Sequence, residues 1–294
     1  MEWRTLSSEA AGTSHILRGL PCQDRTYTLT SSGVTAIALA DGAGSRRYSE
    51  MGAECASREI CRLLCKEFDT LFSSATPYIL KTSIINRISS KLGEVSLRHR
   101  VSKDDLACTL LAAAVRGSDY ITFHIGDGVI GYRKDGHLHV ASHPYNGAGT
   151  NETVFITSPA ALRHTSVRKG TQELLEGFIL MSDGSERSLY SRKSGRLSRS
   201  VETIMQRCEL YGRDHAEREL SRILCEELIP RTHDDCSLAV MTRKRGSFGF
   251  WERIPLEKRA AILGISTSSK AKRRRSVKKY SASYGIAPNP QSTL

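Results

Sequence analysis

Between Val34 and Ala40 the chain reads VTAIALA, a run of small, strand-forming positions that stops at a single carboxylate, Asp41, and continues with Gly42, Ala43 and Gly44. An apolar run of this length bounded by glycine predicts a buried strand, and the glycines let the backbone turn tightly and come close to whatever Asp41 meets. The period then changes. In SEMGAECASREICRLLCKEF (49–68), Ala56, Ile60, Leu64 and Phe68 recur at every fourth position, as one helix face requires. A second helix is predicted over PYILKTSIINRISSKLGEV, where Pro77 suits the first turn and Leu80, Ile84, Ile88 and Leu92 repeat the spacing. Strand patterns return in LACTLLAAAV, YITFHIGDGV, VIGYRKDGHLHVAS, TVFITS and GFILMSDG, with Asp135-Gly136 marking a tight hairpin. Two further helical segments, SVETIMQRCELYG and DHAERELSRILCEELIP, precede a last strand, CSLAVMTR.

Strands grouped together, with helices in consecutive pairs, argue against a doubly wound parallel sheet. The expected architecture is α+β: two antiparallel sheets packed face to face with helix pairs outside, a four-layer α-β-β-α sandwich. Such sheets bury both faces, which accounts for the nearly continuous apolar strands.

Composition sharpens this only in places. With 294 residues, 39% of them hydrophobic, the chain can bury a sizeable core. The apolar stretch LACTLLAAAV is too short to cross a bilayer and MEWRTLSSEA lacks the apolar centre of a secretory signal, so a cytoplasmic protein without a transmembrane segment is expected. Eight cysteines, none in CxxC spacing, fit reduced thiols. The formal charge of +12 is concentrated at one end: from Lys244 onward there are 12 lysines and arginines against 2 acidic residues. The chain is therefore divided into a folded part, 1–243, and a basic extension, 244–294, partly helical or disordered, whose charge suits an acidic partner or nucleic acid.

The grammar of the first strand recurs. TFHIGDG ends in Asp127-Gly128, GFILMSDG ends in Asp183-Gly184, and THDDCSLAVM opens a strand with Asp234-Asp235. Taken singly, each is equally an ordinary turn. If the strand ends converge, like charges ~4 Å apart repel by about 4 kcal/mol even at an effective dielectric near 20. No lysine or arginine is expected beside them, so a divalent cation is the economical counter-charge, and all-oxygen ligands favour magnesium or manganese over zinc or copper. Upstream, GTSHILRGLPCQDR delivers Gln23-Asp24 and carries His15 and Arg18; alone, Asp24 reads as a turn former and His15 as a surface histidine.

In sequence order, CQDR, ALADGAGS with SEMGAE, DLACTLLAA, HIGDG, ILMSDG and HDDCSLAV resemble the blocks of the bacterial type-2C metal-dependent protein serine/threonine phosphatases, within them the PphC-like branch. The resemblance covers residues 12 to about 242. It implies the same four-layer sandwich, with two Mn2+ or Mg2+ ions per subunit in the cleft between the sheets. Asp41 would bridge the metals, Gly42 would offer its carbonyl, Asp183 and Asp234 would bind one metal, and Asp24 would hold water beside them. Asp127, with Asp183, matches the place where bacterial relatives bind a third ion; Arg18 is the nearest match to an arginine that grips substrate phosphate; Thr109 falls in a block packed beneath the site. The implied activity is hydrolysis of phosphoserine and phosphothreonine proteins by metal-activated water without a phosphoenzyme, in a monomer. Departures are visible. Ala43 stands where many eukaryotic members carry histidine, Gln23 replaces an acidic residue, and Asp127-Gly128 replaces a longer Gly-Asp-Ser-Arg block. Rival readings are a catalytically weak regulator that binds phosphoproteins and a nucleic-acid-binding protein acting through its tail. A dinucleotide or P-loop enzyme is disfavoured, since Arg47 stands where a third fingerprint glycine belongs and no GxxxxGK[ST] occurs.

Overall fold

The computed structural model describes residues 2–145 and 153–243. The basic extension, including a helical turn expected between Ala260 and Ile265, lies outside them. The strands are β1 (Trp3–Ala10), β2 (Arg25–Ser31), β3 (Val34–Ala40), β4 (Leu110–Arg116), β5 (Asp119–Ile125), β6 (Val129–Lys134), β7 (His137–Ser142), β8 (Ser166–Thr171), β9 (Leu175–Met181), β10 (Tyr190–Ser191), β11 (Arg196–Leu197) and β12 (Cys236–Arg243). The helices are α1 (Thr13–Arg18), α2 (Ser49–Lys66), α3 (Phe68–Phe72), α4 (Pro77–His99), α5 (Ala161–His164), α6 (Asp183–Leu189), α7 (Arg199–Leu210) and α8 (Arg213–Ile223). One sheet has the order β1-β12-β9-β6-β7 and the other β2-β3-β4-β5-β8, and every neighbouring pair is antiparallel.

The two-residue period of the strands sorts the core into layers. On β3, Val34, Ala36, Ala38 and Ala40 face the helices, packing with Ala56, Ile60, Ile84 and Ile88 of α2 and α4. Ile37 and Leu39, between them in sequence, face the other sheet and meet Ile130, Phe178, Leu180 and Met241. The second sheet repeats this: Leu238 and Val240 of β12 pack with Val201, Met205 and Leu220 of α7 and α8, while Ala239 and Met241 turn inward. The expected four-layer sandwich is therefore present. The Asp135-Gly136 hairpin is also present, with both residues at positive φ, 50° and 74°, as a tight primed turn requires.

Differences from the sequence expectation fall at sheet edges and in connections. TVFITS forms no strand; it turns, with Ile156 N–H donating to the Cys108 carbonyl and Phe155 N–H to Ser158 Oγ. β1, β2 and β8 are edge strands without a continuous apolar run, so their polar sequences concealed them. The short α1 lies in GTSHILRGLPCQDR, where no helix is predicted from the pattern. The last helix is regular only to Ile223, then widens into a π turn over Leu224–Leu228 and tightens into a 3-10 turn at Ile229–Arg231, where Pro230 removes a backbone donor.

Candidate metal centre

Antiparallel pairing carries the motif aspartates to one edge of the sandwich. Arg25 pairs with Ala40, so Asp24 before β2 flanks Asp41 after β3. In the other sheet Met181 pairs with both Val129 and Leu238, which brings together Asp183 after β9, Asp127 in the turn before β6, and the Asp234-Asp235 segment before β12. Asp127 lies where the chain crosses from one sheet to the other. Four aspartates, 24, 127, 183 and 234, are close enough to act on Asp41 electrostatically.

Each is held by its own framework. The Asp41 backbone is clamped by Thr109, whose N–H donates to the Asp41 carbonyl at 2.8 Å while its Oγ1 accepts from Asp41 N–H at 3.0 Å. Gly42 N–H donates to the Gln23 carbonyl at 3.2 Å, and a Cβ at Gly42 would sit 2.8 Å from that carbonyl oxygen and 2.9 Å from Ser49 Oγ, so only glycine fits. Asp24 is buried, with Oδ2 accepting from Ser237 Oγ at 2.7 Å and Oδ1 without a partner. Asp127 accepts from Thr153 Oγ1 at 2.7 Å, Asp183 from Gly184 N–H at 2.6 Å, and Asp234 from Asp235 N–H at 3.2 Å.

The electrostatics are those of excess negative charge. Burial, followed by repulsion from Asp24, Asp183, Asp127 and Asp234, holds the Asp41 carboxyl well above the usual carboxylate range. Asp24 is raised by burial and by Asp235 and Asp183, against the Ser237 hydrogen bond; Asp183 is raised by burial and then by Asp234 and Asp127. Sequence reasoning expected no basic side chain here, and the structure corrects that. Arg187, one turn along α6, brings its guanidinium to 3.9 Å from Asp183 Oδ2 and 3.8 Å from Asp234 Oδ2, at distances that offset only part of the charge. The donor set fits hard divalent cations: carboxylate oxygens, an unpartnered Asp24 Oδ1, and a Gly42 carbonyl that accepts from no described backbone N–H. Among the described residues no three His, Cys, Asp or Glu side chains are already close enough to grip an ion together. The fit therefore rests on donor chemistry and charge, not on a preformed cage.

Three residues escaped the sequence reading as participants. Asp235 is a buried clamp: Oδ1 accepts from Gly12 N–H at 2.7 Å and meets His15 Nδ1 at 2.9 Å, and Oδ2 accepts from Gln23 N–H at 2.6 Å. Its only signal was its place beside Asp234. Glu186, three residues after Asp183 on α6, is buried, paired with Arg192 through Oε1 at 2.7 Å and unpartnered at Oε2. Arg187 was legible as the position four after Asp183 once a helix was assigned there. Arg18, by contrast, is exposed and donates Nε to its own helix at Ser14, 3.0 Å away, and no contact joins it to the described carboxylates. His15 is buried against Asp235 and is not a surface histidine.

A family model described as Protein phosphatase 2C matches residues 11–225. Among curated proteins, Serine/threonine-protein phosphatase 3 of Escherichia coli (strain K12) is 27% identical over 167 residues, 55% of this chain, and the match spans 66% of that relative's length. Solved structures share the fold at low identity. The S. agalactiae serine/threonine phosphatase superposes with a TM-score of 0.56 at 15% identity, covering 82% of this chain and 99% of its own. The catalytic domain of the phosphatase PstP, solved in complex with 2 manganese ions, gives 0.53 at 15% identity, covering 82% and 97%. Stp1 from Staphylococcus aureus gives 0.57 at 11% identity, covering 83% and 96%.

Proposed function

The chain belongs to the protein phosphatase 2C family, and from that premise we propose that it hydrolyses phosphoserine and phosphothreonine in proteins, with residues 1–243 as the catalytic domain. The observation that carries this reading is the convergence of five strand-end aspartates whose charge Arg187 offsets only in part. Asp41, the Gly42 carbonyl, Asp183 and Asp234 would hold two Mn2+ or Mg2+ ions, with Asp127 toward a third. When bound there, the cations supply Lewis acidity toward phosphoryl oxygens and acidify water.

The chain's own groups supply position and charge, which is most of what phosphoryl transfer asks of a protein. Asp24, buried with Oδ1 free of protein partners, holds water by hydrogen bonding beside the reacting phosphorus. Arg187 offers a planar donor fork to the substrate's phosphoryl oxygens, since its side chain is 56% exposed and stands beside Asp183 and Asp234. This role falls to Arg187 in preference to Arg18, whose guanidinium is exposed and turned back onto the Ser14 carbonyl of its own helix. With Ala43 in place of a histidine and His15 committed to Asp235, the leaving oxygen takes its proton from water.

One observation favours a second reading, a phosphatase fold that binds phosphoproteins without turnover. Arg187 is a built-in cation between two of the carboxylates and competes there with metal. Turnover of a phosphothreonine peptide with manganese, and its loss with chelator, separates the two. The extension 244–294 is proposed as a docking arm for an acidic partner, on its charge alone.

A further inference from the structure

Beside the β5–β6 crossing, on the face of β5 opposite the helix-packed Phe123 and Ile125, lies a cavity of about 500 Å3 whose lining includes His124, His143, His164, Arg163 and Arg168, and no carboxylate among the described residues. Its volume is that of a small-ligand cleft. Arg163 and Arg168 are exposed and make no ion pair with a described carboxylate. The histidines are held in place: His143 Nδ1 meets Tyr190 OH at 2.7 Å, and His164 stacks on Tyr145 with ring centroids 4.8 Å apart.

His124 gives the cavity a second, independent mark. It is 3% exposed, its Nδ1 is 2.6 Å from Ser142 Oγ, and its Nε2 has no hydrogen-bond partner. The Gly126 carbonyl accepts from Tyr145 N–H at 3.0 Å and also lies near enough to the ring to favour its protonated form, though no hydrogen bond of good geometry reaches Nε2. A buried ring nitrogen without a partner is costly unless a ligand satisfies it. If the Ser142 hydroxyl donates to Nδ1, Nε2 carries the proton and becomes a donor within a basic wall.

The cavity adjoins the carboxylate centre. Gly126 lines it, and Asp127, the next residue, acts on Asp41 and Asp183. Consecutive Cα atoms are about 3.8 Å apart, so a single peptide unit joins the two. Gly126 itself is at φ 118°, and a Cβ there would lie 2.5 Å from the Thr109 side chain that clamps Asp41.

We propose that this cavity is a second anion site, which takes the phosphoryl group of another phosphorylated residue on the polypeptide bound at the metal centre. The proposal rests on the phosphatase reading for its substrate class, and its test does not depend on turnover. Affinities of a singly and a doubly phosphorylated version of one peptide are measured by fluorescence anisotropy on the full-length protein, as wild type and as Arg163→Ala/Arg168→Ala. Titration with inorganic phosphate, followed by phosphorus NMR, runs in parallel without metal. The wild type binds the doubly phosphorylated peptide about tenfold more tightly or better, as one charge-assisted pair supplies. The double variant loses that preference and leaves the singly phosphorylated peptide unchanged. Equal affinities in the wild type overturn the proposal, as does a preference that survives in the variant. Phosphate binding weakened by the variant, with no peptide preference in the wild type, reassigns the cavity to free phosphate and overturns the peptide assignment. Absence of hydrolysis of either peptide with manganese counts against the phosphatase reading alone, because the binding data stand apart from it.

Discussion

Replacing Asp235 by asparagine or alanine removes a clamp on which two segments of the site depend. Its carboxylate accepts the buried Gly12 and Gln23 N–H groups at 2.7 and 2.6 Å and meets His15 at 2.9 Å, in surroundings that leave the residue 3% exposed. In the alanine variant two backbone donors lose their acceptor without gaining water, at roughly 1–3 kcal/mol each, so a loss of about 4 kcal/mol is expected. At roughly 2–4 °C per kcal/mol for a domain of this size, the melting midpoint falls by about 8–16 °C. Asparagine keeps the shape. Its oxygen can serve Gly12 and His15, but its amide then faces the Gln23 N–H, so one donor is lost and the drop is about half as large. Because Gln23 precedes Asp24 and Asp235 follows Asp234, manganese affinity should weaken in the same order. Thermal unfolding and urea titration measure the first effect and calorimetry the second. Midpoints within a degree of wild type in both variants would refute the clamp, and a large drop with asparagine but none with alanine would refute the donor count.

His124 carries a pH signature: burial, with repulsion from His143, lowers its pKa from the ordinary 6.5 to about 4. The folded protein keeps the ring neutral while the unfolded chain takes up a proton below about pH 6.5, so stability is lost as pH falls from there toward 4; the stability gap between wild type and His124→Asn should narrow by about 2 kcal/mol between pH 7 and 4.5, and a constant gap would contradict the assignment. Arg187→Gln should raise KM for a phosphopeptide about tenfold without weakening manganese binding, whereas Arg18→Gln should leave both near wild type; the reverse ranking in steady-state kinetics would return the phosphate-gripping role to Arg18. Truncation after Arg243 should spare hydrolysis of a small aryl phosphate and slow that of a large acidic substrate at low salt, and equal loss on both by a folded protein would contradict a docking role for the extension.

The central layers were legible because burial on both faces leaves an unambiguous pattern. β3, β4, β9 and β12 are nearly continuous apolar runs, and α2 and α4 show the four-residue spacing of a one-sided face. β1 and β2 were not legible, since an edge strand exposes one side and half its hydrogen-bonding groups, and WRTLSSEA or RTYTLTS then reads as loop. Asp41, Asp127, Asp183 and Asp234 stood out because each sits at a strand end beside a glycine or another aspartate. Asp235 and Arg187 did not, because their roles depend on partners more than 200 residues away or on which face of a short helix they occupy. Periodicity cannot report such long-range pairing; only the antiparallel register does.

The account stands most directly on manganese titration of phosphothreonine-peptide hydrolysis, carried out on wild-type protein and on Asp41→Asn at equal protein concentration. The wild type should be inactive in chelator and saturate with added manganese, while Asp41→Asn, which removes one charge from the centre of the cluster, should turn over several powers of ten more slowly at every manganese concentration. Hydrolysis by the wild type that is indifferent to chelator, or wild-type rates and manganese dependence in Asp41→Asn, would contradict a metal centre built on Asp41.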